Sequence, residues 1–235
     1  MKYFLAVLFA VFLNQLSAQT IINDKNAEVR DVSTFSGIKV SGGIDVFLSQ
    51  DEDYALAVSA SDEKFRDRIK TEINNGVLSI YYSGGRVEFN EHRNLRAYIS
   101  FKTLESIEAS GACNITINEI LKGSSLRLKL SGACEIKGEI NMNNLSVDIS
   151  GASTVKINGN LQNIKIDASG ASDLKNFDLI ADNCVASLSG ASDVNITVTK
   201  SISVKASGAS SLNYRGNPDK KDISTSGASS VSQRN

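Results

Sequence analysis

The chain has 235 residues, with 25 lysines and arginines against 26 aspartates and glutamates, a formal charge of −1. Near-neutrality without a basic stripe argues against nucleic acid and anionic membrane surfaces as partners. One proline, 17 glycines and no tryptophan, with short Val-, Ile- and Leu-rich runs between Gly, Ser and Asn clusters, point to many strands joined by tight turns.

Lys2 precedes an apolar stretch over residues 3–13 that is too short to span a bilayer. Leu16-Ser17-Ala18 then offers a small residue before Gln19. Residues 1–18 therefore read as a cleaved export signal, and 19–30 as a leader. No cysteine follows the apolar run, so a lipid anchor is not supported. No later segment is long and apolar enough to cross a membrane.

Strands are expected over 35–40 and 44–48 around Ser41-Gly42-Gly43, and over the alternating stretch 54–60. Residues 62–70 offer one helical turn, acids first and bases last, as the helix dipole prefers. Asn74-Asn75-Gly76 predicts a hairpin between 70–73 and 77–82. A charged loop over 83–94 carries the lone histidine, His92, with no partner signature, and a strand follows over 95–100.

From residue 110 the chain becomes periodic. Ser-Gly-Ala recurs seven times, at Ser110-Gly111, Ser131-Gly132, Ser150-Gly151, Ser169-Gly170, Ser189-Gly190, Ser207-Gly208 and Ser226-Gly227. The starting serines are 21, 19, 19, 20, 18 and 19 residues apart. Aligned on them, apolar columns lie three residues before (Ile107, Leu128, Val147, Ile166, Ala186, Val204, Ile223) and five after (Ile115, Ile136, Val155, Leu174, Val194, Leu212, Val231). A polar column stands between apolar ones, which is the signature of strands with one buried face. A coil of about 19 residues is too short for a strand–helix–strand crossover of roughly 30 residues. The expected fold is all-β: a parallel β-helix or solenoid, right-handed as parallel crossovers usually are. Its coils stack like residue on like residue, with a less regular N-terminal half capping and extending the stack. One continuous domain over 31–231 is expected, with a tail at 232–235.

In this reading the Ser-Gly-Ala ladder is structural. Gly permits a sharp corner, Ala fits a corner with little interior room, and Ser bonds neighbouring rungs or its own backbone. Seven equivalent serines without a base do not make nucleophiles. Asn143-Asn144, Asn158-Gly159-Asn160 and Asp182-Asn183 read as further turns, with a third strand that varies between coils. Cys113 and Cys134 hold the position after Ser-Gly-Ala, where later copies carry serine, and stacking places their Cα atoms about 4.8 Å apart. Parallel Cβ vectors favour small packed thiols there over a bridge. No cysteine or histidine spacing matches a metal site, and no cofactor is expected.

The run Phe35-Ser36-Gly37-Ile38-Lys39-Val40-Ser41-Gly42-Gly43-Ile44-Asp45-Val46-Phe47-Leu48-Ser49-Gln50 resembles the opening signature of the family called "putative auto-transporter adhesin, head GIN domain". Gly43-Ile44-Asp45 stands where that family has Gly-Ile-Asn. Glu105-Ser106-Ile107-Glu108-Ala109-Ser110-Gly111-Ala112 resembles its second signature. The resemblance covers roughly 30–231. It implies a β-helical protein exported to the periplasm or cell surface of a Gram-negative bacterium, of the kind found in Bacteroidetes, and it carries no catalytic residues over.

Three functional readings follow. The first is a non-enzymatic envelope or surface domain whose outward columns contact glycan or protein. The second is a pectate lyase-like, polysaccharide-active enzyme. Its acids would be Asp148 stacked on Asp167 and Asp173 stacked on Asp193, pairs able to bind a cation or share a proton. The third is a module that self-associates through its open C-terminal coil edge.

Overall fold

The computed structural model describes residues 24–85 and 92–235. The expected signal and most of the leader lie outside the described residues, as does the middle of the charged loop. The elements run in chain order. The first are β1 Glu28–Arg30, β2 Gly37–Ser41, β3 Asp45–Gln50 and β4 Ala55–Ser59. Next come α1 Glu63–Arg66, β5 Ile69–Asn74, β6 Val77–Tyr82 and β7 Arg96–Phe101. Then follow β8 Ser106–Ser110, β9 Asn114–Ile117, β10 Leu121–Leu130, β11 Glu135–Ile149 and β12 Thr154–Ala168. The last are β13 Asp173–Leu188, β14 Asp193–Ala206, β15 Ser211–Arg215, β16 Lys220–Thr225 and β17 Ser230–Gln233.

All seventeen strands join one hydrogen-bonded sheet wound into a solenoid. Its stacked parallel coils are about 19 residues apart and make about seven turns. The register stacks like on like: Ile107, Leu128, Val147, Ile166, Ala186, Val204 and Ile223 are successive partners. All of these but Ile223 are buried and form the spine of the core. Full burial of such a side chain stabilises the fold by about 1.5–3 kcal/mol. A lone coil has nothing to bury against, which is why the coils stand only as a stack.

The expected third strand is not a separate, variable piece. From β11 to β14 the chain pairs through the Asn-rich corner, and each strand is 14 to 16 residues long. The polar residues of this corner are in register with each other: Ser125, Asn144, Asn163, Asn183 and Ser201. Asn144 and Asn183 are among those that read as turn residues, whereas Asn158 and Asn160 pair elsewhere, with Glu139 and Asn141. The residues of the corner satisfy one another. Asn144 Nδ2 donates to Ser125 Oγ (3.2 Å), Asn163 Nδ2 to Asn144 Oδ1 (2.9 Å), and Asn183 Nδ2 to Asn163 Oδ1 (3.1 Å). Asx side chains mark loops when their groups must find partners locally. Here the next coil supplies the partner.

The N-terminal half caps and extends the stack, but not in chain order. Strands β2 and β3 pair in parallel with β8 and β9 on one side and with β6 and β7 on the other. The first coil of the chain is thus the second rung in space. Beyond β6 and β7 the direction reverses: β5 is antiparallel to β6, β4 to β7 and β1 to β4. The predicted hairpin forms with Asn75 and Gly76 at positive φ of 51° and 74°, as a two-residue turn of this kind demands. The helical stretch shrinks to the single turn α1. Asp62 caps it by accepting from Lys64 N (2.9 Å), and it buries Phe65.

Candidate functional site

Three features were candidates from the sequence: the Ser-Gly-Ala ladder, the aspartate pairs and the cysteines. At the ladder, eight glycines turn the corner at φ between 71° and 88°: Gly42, Gly111, Gly132, Gly151, Gly170, Gly190, Gly208 and Gly227. Gly42 is the eighth member, because Ser41 is in register with Ser110. The sequence hides it, since a long excursion of chain separates it from the regular spacing. From Ala133 on, each repeat alanine N–H donates to the glycine carbonyl of the preceding coil, as in Ala133 N to Gly111 O (2.7 Å) and Ala152 N to Gly132 O (2.7 Å). A Cβ on Gly151 would lie 2.4 Å from Gly132 O. Both the left-handed backbone and the close approach therefore require glycine.

One expectation about this corner is corrected, and another is met only in part. The alanines, Ala133 and Ala152 among them, point outward and are exposed, so no interior crowding selects them. The repeat serines are not the main hydrogen-bonding side chains either. Ser150 and Ser207 make only long contacts to the coil below, at 3.4 and 3.3 Å, and Ser189 and Ser226 are exposed. The polar group of the corner is the residue after alanine. Ser153, Ser172, Ser192 and Ser210 are buried. Ser172, Ser192 and Ser210 each close the corner by donating to the carbonyl three residues back, at 2.9, 3.0 and 2.8 Å. Cys113 and Cys134 do the same with their thiols at 3.3 Å. All three cysteines are free and buried. The neighbouring Cys134 thiol, and then burial, hold the Cys113 thiol above the usual thiol range. Burial alone pushes Cys184 up to about 12. The raised Cys113 and Cys184 thiols are packing groups, not nucleophiles, whereas the hydrogen bond with the Cys113 thiol lowers the pKa of its neighbour Cys134, which is buried as well.

The register does bring the acids together in pairs, Asp148 with Asp167 and Asp173 with Asp193. Each pair faces outward, on opposite sides of the glycine corner. Asp148 is exposed and the other three are half-buried. Cations and hydroxyls answer them: Lys165 Nζ lies 2.8 Å from Asp167 Oδ2, Lys175 Nζ lies 2.9 Å from Asp173 Oδ2, and Ser211 donates to Asp193. The Asp173 hydrogen bond and charge raise the Lys175 pKa. No cluster of three or more His, Cys, Asp or Glu able to hold a metal occurs among the described residues. His92 is exposed, away from both pairs.

One depression, of about 700 Å³, runs along the Asn corner, lined by Ser125, Arg127, Asn144, Asn163, Lys165 and Val185 among others. Its lining mixes the internally bonded asparagines with apolar side chains, Val185 among them, and with the charged groups Glu105, Arg127 and Lys165 at its sides. Among the described residues no helix is long and apolar enough to cross a membrane.

The family described as "Putative auto-transporter adhesin, head GIN domain" matches residues 34–218. Among solved structures, one described as a putative adhesin from Bacteroides fragilis is 20% identical, with a TM-score of 0.82, covering 90% of this chain and 98% of its own. Another, described as a putative lipid binding protein from Parabacteroides distasonis, is 20% identical, with a TM-score of 0.66 and the same coverages of 90% and 98%. A putative adhesin from Parabacteroides merdae is also 20% identical, at a TM-score of 0.66, covering 89% of this chain and 95% of its own. At these identities the likeness is one of fold. No curated protein matches the chain.

Proposed function

The chain belongs to the head GIN domain family, and we propose that it serves as an exported, non-enzymatic recognition module. Residues 1–18 are removed on export, and the solenoid from 31 to 231 works in the periplasm or at the cell surface, without a cofactor. The adhesin descriptions of the family and of two structural neighbours support the reading. So does one observation above the others. Inward positions along the middle coils are spent on core, while the outward columns, Ile180 and Val185 apart, hold mostly acids, bases and hydroxyls, several of them paired with one another. Such a surface is suited to contact over an area, with glycan or protein, and not to turnover at a point.

Arrays of glycans and host extracellular proteins probed with residues 19–235 test it. Saturable binding to a defined target is the expected result, and no binding on either array overturns it. The polysaccharide-active alternative is tested on acidic polysaccharides. Turnover that disappears when Asp148, Asp167, Asp173 and Asp193 become Asn would establish it instead.

A further inference from the structure

The depression at the Asn corner follows the stack from coil to coil. On one side stand Ser125, Asn144 and Asn163, one to a rung. On the other stands the outward column two residues on, Arg127, Ser146, Lys165 and Val185, also in register. From Glu105, beside the first of these rungs, to Val185 the trough covers four steps, about 19 Å at about 4.8 Å each.

Charge sets one position apart. On this face Lys39 meets Glu108 (3.8 Å) and Lys165 meets Asp167 (2.8 Å). Lys129 has Glu108 and Asp148 in register on either side, but Arg127 has Ser106 and Ser146 there instead. Arg127 is exposed, and its guanidinium makes no ion pair or hydrogen bond among the described residues. Glu105 is the one acid of the lining, against the cations Arg127 and Lys165. A guanidinium left without an acid inside a concavity is suited to a carboxylate, which it meets with two parallel N–H donors.

The trough also constrains what carries that carboxylate. An extended peptide docks by adding to an unpaired strand edge, but each rung here is hydrogen-bonded to the rungs on both sides, so no edge is free. A volume of about 700 Å³ is that of a small-ligand site. A protein interface takes about 800 Å² from each partner. The polar groups repeat with the rungs, and they have capacity to spare. Asn163 gives one N–H to Asn144 and one lone pair to Asn183, which leaves it one of each. A chain of linked pyranose rings advances by close to one rung per sugar, so its hydroxyls stay in step with this ladder. An extended peptide advances about 3.3 Å per residue and falls out of step. Val185, 53% exposed at the far end, offers an apolar patch to the C–H face of a ring. We propose that the trough from Arg127 to Val185 is a binding site for a linear acidic oligosaccharide, a uronic-acid chain whose carboxylate pairs with Arg127 and whose hydroxyls meet Asn163 and Ser146. The inference rests on the recognition-module reading and gives it a site and a ligand class.

Calorimetry with hexagalacturonate, hexamannuronate, hexaguluronate, neutral mannohexaose and hexaglutamate tests it. At least one of the three uronates should bind the parent chain saturably, and at least tenfold more tightly than mannohexaose or hexaglutamate. Arg127→Gln should weaken that uronate at least tenfold. So should Ser146→Asp, which sets a carboxylate of the chain's own beside Arg127. Lys205→Gln removes an exposed cation outside the trough and should leave binding unchanged. Thermal unfolding checks that the variants are folded. No binding by any uronate overturns the site, as does binding unchanged in folded Arg127→Gln and Ser146→Asp. A loss in Lys205→Gln equal to that in Arg127→Gln means diffuse attraction and overturns it too. Hexaglutamate binding as tightly as the uronate overturns the sugar and leaves an acidic peptide. Array binding that survives Arg127→Gln keeps the recognition reading and overturns this site alone. Failure on the arrays overturns the recognition reading itself.

Discussion

The two ends of the solenoid solve the same problem in different ways. A stack of parallel coils ends in unpaired strand edges and an uncovered core, both invitations to association. At the N-terminal end the chain covers them with new structure. The antiparallel strands β5, β4 and β1 fold over the last parallel rung, and Phe35, Phe65, Leu95 and Phe101 are buried beneath. At the other end β16 and β17 form the last rung among the described residues. The inward column Leu126, Leu145, Ile164, Cys184, Ile202 ends in Lys221, and Gln233 stands in register with buried Tyr214. Lys221 Nζ reaches Gln233 Oε1 (3.3 Å), and Gln233 Nε2 donates to Gly216 O (2.8 Å). The last coil thus roofs the core with polar groups instead of protein, an inward charge at an edge that repels a further strand. One end is closed by topology and the other by residue choice, so the second should be far easier to open.

The sharpest way to break that contrast is to restore the column. Lys221→Ile with Gln233→Val gives the terminal coil an apolar roof beside Ile223, which is already 41% exposed. Light scattering should then show end-to-end dimers or larger species at concentrations where the parent chain is monomeric. A parent chain that associates, or a double variant that does not, would mean the polar roof has no such role.

Next in size is the corner ladder, where the middle and the junction with the N-terminal half differ. A Cβ on Gly151 would meet Gly132 O at 2.4 Å, whereas on Gly111 the nearest atom is Gly42 N at 3.6 Å. Both residues sit at left-handed φ, which alone costs an L-residue about 1–2 kcal/mol. Gly111→Ala should therefore lose about that much, and Gly151→Ala about 3–4 kcal/mol, because backbone must also move. Gly227→Ala, with its contact at 3.0 Å on the open coil, should fall between. Urea unfolding reads all three, and equal losses would show that conformation alone, not rung spacing, selects glycine.

The buried hydroxyls give a smaller effect. Ser192 donates to Ser189 O at 3.0 Å from a buried position. Cys113 and Cys134 make the equivalent bond through sulfur. Ser192→Cys should shift stability by under about 1 kcal/mol, whereas Ser192→Val strands the carbonyl and should cost about 1–3 kcal/mol.

The difference between the ends also explains what could be read in advance. The coils and their register were legible because stacking imposes one environment on every copy, so a column of Ile, Leu and Val names its own neighbours. The outward turn of alanine and the buried role of Ser192 were not. A Ser-Gly-Ala string fixes the corner's backbone but not which side chain faces in. The rung made by β2 and β3 was hidden because chain order and spatial order part company there. The aspartate pairing could be read from spacing, but the lysines that meet them come from the same strands two residues away, a contact that column alignment does not reveal.

The smallest expected effect separates the ends by acidity. Asp24 ties the N-terminal segment to the stack through Tyr98 and Arg96, and Arg96 lies 3.3 Å from it as an ion pair. Burial works against its charge, but the Ser59 hydroxyl, the Asn26 N–H, Tyr98 and Arg96 outweigh burial, and its pKa falls below 3.8. A carboxyl depressed in the folded state adds stability above its unfolded value, and that contribution disappears as pH falls through the folded one. The stability difference between the parent and Asp24→Asn should thus be constant near neutrality and shrink below about pH 4. The hydrogen bonds of the roof at the other end, Lys221 to Gln233 and Gln233 to Gly216, involve no acid, and the one acid of β16, Asp222, is exposed and meets only Ser203 at 3.4 Å. In hydrogen exchange near pH 3, β1, β4 and β7 should therefore lose protection relative to neutral pH, while β16 and β17 keep theirs. Equal loosening at both ends would show that Asp24 does not hold the closed end.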